Sequence, residues 1–126
     1  MQARGLESRT QPQKPELDAK DIAALCLGDE QAFRRVVRRH QKRVLAYCLR
    51  MLGDSSHAQD TAQDVFLTLW REREKYRERG KLEFYLLGIA RLRCLALLKK
   101  LRAQRRLQDR AMEVQRTRAQ ARSHEK

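Results

Sequence analysis

Asp60 and Asp64 stand one helical turn apart in the stretch AQDTAQDVFLTLW, Ala58 to Trp70. Carboxylates at that spacing could hold a metal ion or meet a cationic partner. A metal site in a helical bundle wants Glu-x-x-His motifs on facing helices, and the sequence has none. Cys26, Cys48 and Cys94 form no C-x-x-C, and His40, His57 and His124 are scattered, so no zinc site is expected. Nor is there a Gly-rich phosphate loop, a G-x-S-x-G or an H-E-x-x-H. No catalytic residue, metal or cofactor is therefore expected, and the chain is not read as an enzyme. Function must lie in its surfaces. Like charges one turn apart cost a helix about 0.2–0.5 kcal/mol, so the acidic, amide-rich strip Gln59, Asp60, Gln63 and Asp64 requires a reason.

The rest of the chain is basic. Twenty-nine Lys and Arg against 16 Asp and Glu leave a net charge of +13, which points to a polyanion, nucleic acid or an anionic membrane surface. The three cysteines lie beside apolar residues and read as buried thiols in a reducing compartment, not as a disulfide framework. The N-terminus lacks an apolar signal core, and no run approaches the ~18 apolar residues of a membrane span. A cytoplasmic protein without membrane insertion is expected.

Four helices must position these surfaces. Residues 1–16 hold both prolines and read as a disordered leader. The first helix is expected from about Leu17 to Leu27, stopped by Gly28. The second runs from about Asp29 to Leu52. There Phe33, Val37, His40, Val44, Tyr47 and Met51 alternate spacings of four and three as one buried seam, widened by Val36 and Cys48. His40 on that seam reads as a satisfied core or boundary histidine, not as a ligand or a catalyst. The opposite face carries Arg34, Arg35, Arg38, Arg39, Lys42 and Arg43. After Gly53, Ser55 or Ser56 is expected to cap a third helix, with Gln59 completing a capping box on Ser56, and this helix runs to about Lys75. A charged loop ends near Gly80. The fourth helix starts near Leu82 and continues past Leu101. Its tail, 102–126, has eight basic residues against three acids and no Gly or Pro; a frayed helical extension and a disordered tail both fit. No strand pattern appears. The expected fold is an all-α antiparallel bundle of about four helices, with the bundle domain at 17–101.

Three surfaces then stand out: the strip on the third helix, the loop EKYRERGK with LEFYLL after it, and the basic face of the fourth helix. In order and spacing these residues resemble region 2 of a bacterial RNA polymerase sigma factor of the extracytoplasmic-function (ECF) group. The opening GDEQAFRRVVRRH is similar to that family's GDEEAFEELYRRY. LGDSSHAQDTAQDVFLTLW resembles LGDPADAEDLVQEVFLRLW, with Asp60, Gln63, Val65, Phe66, Leu69 and Trp70 unchanged. GKLEFYLLGIAR resembles GSFRAWLLRIAR, with Tyr85 at the tryptophan position. The likeness covers about Leu25 to Leu101.

The resemblance implies a role for each surface. Gln59, Asp60, Gln63 and Asp64 would dock on the basic β′ clamp helices of core RNA polymerase. The loop, about Glu74 to Lys81, would capture a base flipped from the −10 element, with Tyr76, Arg77, Arg79 and Lys81 as its contacts. Phe84 and Tyr85 would assist strand separation; core packing is the other reading of both. Arg91, Arg93, Lys99, Lys100 and Arg102 would neutralise promoter phosphates. Promoter DNA, core polymerase and an anti-sigma factor are the implied partners. Leu92 and Ala96 stand where the family has Asn and Asp, beside the promoter-reading surface. Full members carry a second helical domain that reads the −35 element, and the 25 residues after Leu101 are too few for one. A fragment of a longer protein and a short sigma-like protein both fit. Two other functions stay open: a polymerase-binding regulator that reads no promoter, and a general basic DNA-binding bundle. A membrane-surface role fits poorly, because the fourth helix lacks a clean basic–apolar split.

Overall fold

The structure is a computed structural model that describes residues 14–77 and 80–124. It is all-helical among those residues: α1 (Lys14–Cys26), α2 (Glu30–Leu52), α3 (Ser55–Arg71) and α4 (Leu82–His124). Most of the expected leader, residues 1–13, lies outside the described residues. Its last residues, however, belong to α1, which begins at Lys14 and not at Leu17. Pro15 is compatible with this, because proline is tolerated in a first turn, where the missing N–H has no partner to lose.

Glycines set two of the ends. Gly28 after α1 and Gly53 after α2 have φ of 89° and 69°, left-handed values that other residues adopt only at a cost. Asp29 caps α2, its Oδ1 accepting from the N–H groups of Gln31 (2.9 Å) and Ala32 (3.3 Å). The expected serine cap of α3 is not formed. Asp54 takes that place and accepts from the His57 N–H at 2.8 Å; a carboxylate there also meets the positive end of the helix dipole. Gln59 reaches Ser55 Oγ at 3.3 Å, so the capping box on Ser56 is absent. The two-residue link Gly53–Asp54 turns α3 back along α2 as an antiparallel neighbour.

The buried line of α2 differs from the expected seam. Ala32, Val36, His40, Val44 and Cys48 are its buried residues, a ridge of spacing four throughout. Phe33, Val37, Tyr47 and Met51 are only partly buried against the core. Helices pack through such i, i+4 ridges, and α2 is covered by α1 as well as α3. From α1 come Ile22 and Leu25. From α3 come Ala58, Ala62, Val65, Phe66 and Leu69, and from the start of α4 come Leu82, Leu86, Ala90 and Cys94.

A buried charge network ties α1 to α2. His40, fully buried, places Nε2 at 2.9 and 3.0 Å from the two oxygens of Asp18. Arg39 donates to Asp18 at 2.9 Å and pairs with Asp21 at 2.8 Å. Arg35 pairs with Asp21 at 2.9 Å. Burial alone would raise the Asp18 carboxyl, but hydrogen bonds from His40 and Arg39 outweigh it and hold the group below its ordinary range. Arg39 is thus a largely covered structural partner of α1, and Arg35 pairs with α1 from an exposed position. His40 is a core histidine, but it is satisfied only at Nε2: its buried Nδ1 has no hydrogen-bond partner among the described residues, with Glu83 at the start of α4 3.8 Å away.

All three thiols are free. Burial pushes Cys48 up to about 12 and raises Cys94 as well, although the hydrogen bond from Cys48 opposes the rise at Cys94. The chain divides into two compact units, the second beginning at Leu95. That second unit is the remainder of α4. It is helical through His124, and its Leu107 and Met112 are exposed. Arginine, glutamine and alanine without glycine or proline keep it helical.

Candidate functional site

Helix α3 has two faces. Thr61, Ala62, Val65, Phe66 and Leu69 are buried, while Gln59, Asp60, Gln63 and Asp64 are exposed. Among the described residues neither the Asp60 nor the Asp64 carboxylate has an ion-pair partner. The strip is therefore two unneutralised charges and two amides on a rigid helix. Gln59 and Gln63 also border a groove of about 510 Å³ between α2 and α3, whose apolar lining includes Phe33, Val37, Leu45 and Phe66. The underside of α3 is fixed by a tilted stack of Phe33 on Trp70, with centroids 5.2 Å apart. Arg73 lies over the Trp70 ring as well, its guanidinium carbon 4.1 Å from the centroid.

Beyond α3 the chain makes a series of turns. Helical hydrogen bonding loosens after Arg71, short of the expected Lys75, although the Tyr76 N–H still reaches the Glu72 carbonyl at 3.0 Å. The loop is braced from α1: Cys26 Sγ lies 3.0 Å from the Arg73 carbonyl oxygen and 3.9 Å from that of Tyr76.

This loop and the first turn of α4 border an open pocket of about 650 Å³. Tyr76, Arg77, Lys81, Phe84 and Tyr85, all anticipated from the sequence, line it together with Lys75, which falls within the anticipated loop, and Glu72, which falls outside it. Tyr76 and Tyr85 pack at 4.6 Å between centroids with planes at 47°. Burial, and next the charge of Glu72, raise the Tyr85 phenol above its ordinary value. The two aromatic residues of α4 separate here. Tyr85 is half-buried against the core, whereas Phe84 is 74 % exposed, so core packing does not describe Phe84. Arg79 lies outside the described residues. Nothing in the local sequence marks Glu72, because it stands where α3 ends, and that end was expected further on.

Of the remaining basic candidates, Arg91 and Arg93 do not line the pocket. Arg91 and Arg93 are exposed on α4, and Arg93 donates to Thr68 Oγ1 of α3 at 3.0 Å. Lys99, Lys100 and Arg102 are exposed in the second unit. Leu92 is 68 % exposed and Ala96 is exposed too. Among the described residues there is no group of three His, Cys, Asp or Glu that could hold a metal ion, and no helix is long and apolar enough to cross a membrane.

Comparison with known proteins agrees with this architecture. The profile of Sigma-70 region 2 matches residues 36–106, which take in most of α2, all of α3, the pocket and α4 as far as Arg106. That is more than half of the chain, and the chain belongs to the Sigma-70 region 2 family. It is 31 % identical over 70 residues to the RNA polymerase sigma-H factor of Pseudomonas aeruginosa, a match covering 56 % of this chain and 35 % of that protein. The chain thus spans about a third of the length of that curated relative. No solved structure matched.

Proposed function

We propose that this chain is the region 2 domain of an ECF-type sigma factor, a non-catalytic protein that binds core RNA polymerase and recognises and melts the −10 element. The observation that carries the reading is the joint arrangement on one small unit of an unneutralised acidic strip on α3 and an aromatic, cation-rimmed pocket just beyond its end. The strip suits a basic partner helix by charge complementarity, and the β′ clamp helices are that partner. The pocket suits an extruded base. Unstacking a base costs a few kcal/mol, which aromatic faces and phosphate contacts can offset. Basic residues along α4, as far as Arg122, supply affinity for phosphates without reading sequence. The cytoplasm is the matching compartment, and an anti-sigma factor is the regulatory partner that membership of the ECF group brings.

A second reading is a sigma-like regulator that binds polymerase without reading a promoter. The exposure of Leu92, an apolar residue where the ECF pattern has an asparagine, favours it. One experiment separates the two. The chain is mixed with purified core polymerase and captured, then offered single-stranded −10 oligonucleotides and their scrambled versions. Capture of polymerase with preference for the ordered sequence supports promoter reading. Capture without preference supports the regulator, and no capture removes both.

A further inference from the structure

The base-capture pocket contains a group that phosphate binding does not explain. Lys75, Arg77 and Lys81 are cations, and Tyr76, Phe84 and Tyr85 offer aromatic faces. These serve any nucleotide, because phosphates carry no sequence and every base has a π-face. Glu72 is the carboxylate among the described residues of the lining. Placed against a phosphate it would repel the ligand. Its side-chain contact to Lys75, 4.0 Å long between groups 45 % and 85 % exposed, is too loose and too wet to hold it as a structural ion pair. Its backbone N–H and carbonyl close the turn after α3, which fixes the Cα and leaves the carboxylate able to meet a ligand.

We propose that Glu72 selects the base: its carboxylate accepts a hydrogen bond from an exocyclic amine, so that the pocket takes an amino-bearing base and rejects thymine or uracil. This rests on the reading of the pocket as a base-capture site. A carboxylate only accepts. Cytosine offers its N4 amine and adenine its N6 amine, whereas thymine sets the O4 acceptor at the same place. Guanine also carries an amine, on N2. A thymine edge would therefore bring oxygen against oxygen at the pocket wall. The raised phenol of Tyr85, which Glu72 helps to cause, agrees with a carboxylate held at the pocket wall.

The test uses the full chain and two single-stranded probes, dC12 and dU12, whose bases differ in the group at C4. Fluorescence anisotropy at pH 7.5 reads affinity. The expected result is that the wild type binds dC12 about tenfold tighter than dU12, or about 1.4 kcal/mol. Glu72→Gln and Glu72→Ala, both folded by circular dichroism, should reduce the ratio to less than twofold, chiefly by binding dU12 better. Equal wild-type affinity for the two probes, or a tenfold ratio that survives both substitutions, overturns the Glu72 assignment while leaving base capture intact. Failure of the wild type to bind either probe overturns the assignment and base capture together.

Discussion

The Nε2 atom of His40 lies 2.9 Å from Asp18 Oδ2, with both side chains buried. One residue belongs to α1 and the other to the middle of α2, so this contact is the buried centre of the network that ties the N-terminal helix to the core. Replacing Asp18 with Asn removes the charge that His40 and Arg39 both address. Hydrogen bonds to charged groups are each worth about 1.5–3 kcal/mol, and Asp18→Asn should cost roughly 2–3 kcal/mol in urea unfolding. The pH dependence has a definite sign. The folded state holds the Asp18 carboxyl below its unfolded value of about 3.9, so its stabilisation is present above about pH 4. It is lost as pH falls through the lowered folded value. Wild-type stability should decline in that acid range more steeply than that of Asp18→Asn.

Asp60→Lys with Asp64→Lys should abolish capture of core polymerase while leaving helicity intact. Both side chains are exposed on α3, so the double variant changes charge and not packing. A variant that still co-purifies with polymerase as the wild type does would remove α3 from the interface.

Phe84 separates binding from folding. At 74 % exposure it contributes little to the core, and Phe84→Ala should change stability by no more than about 0.5 kcal/mol. If it stacks on a base, the same substitution should cost about 1–3 kcal/mol of single-strand affinity. Parallel thermal denaturation and oligonucleotide titration read the two numbers.

Replacing Lys99, Lys100, Arg102, Arg105 and Arg106 with Gln should weaken DNA binding and flatten its salt dependence. Every phosphate that is no longer neutralised should lower the log–log slope by about 0.7–0.9. A slope unchanged by all five substitutions would show that this part of α4 touches no phosphate.

The thiols should divide by environment. Cys48 is pushed up to about 12 and Cys94 is raised, and both are buried, so neither supplies thiolate near pH 8. Iodoacetamide should label the native protein at Cys26, which is only partly buried, and label all three residues in guanidinium. Mass spectrometry counts the adducts.

Helix order and the two faces of α3 are legible in the sequence because a 3.6-residue period is strong in Ala58–Trp70 and the glycines at 28 and 53 punctuate it. The buried line of α2 is less legible. Phe33, Val37, Tyr47 and Met51 are large and suggest a seam, yet the interior lies along Ala32, Val36, His40, Val44 and Cys48, because two helices cover α2 from different sides. The pairing of Arg35 and Arg39 is not legible, since their aspartate partners sit 14 and 21 residues away on α1. Asp54 displaces the serines as cap by one position, a choice among three adjacent good caps that propensity alone cannot make. Most of the pocket is legible through Tyr76, Arg77, Lys81, Phe84 and Tyr85. Glu72 and the Cys26 brace are not, because both depend on where α3 stops and what lies beneath the loop.

That brace joins two parts of the molecule that are far apart in the chain. Cys26 is the last residue of α1, and its sulfur lies against the carbonyls of Arg73 and Tyr76. The N-terminal helix therefore restrains the loop, and a restrained loop has less ordering cost left for a ligand to meet. Loosening α1 at Asp18 should then loosen the loop, and by reciprocity a ligand that orders the loop should steady α1. Amide exchange at Tyr76 and Arg77, compared between wild type and Asp18→Asn, is where that coupling becomes visible.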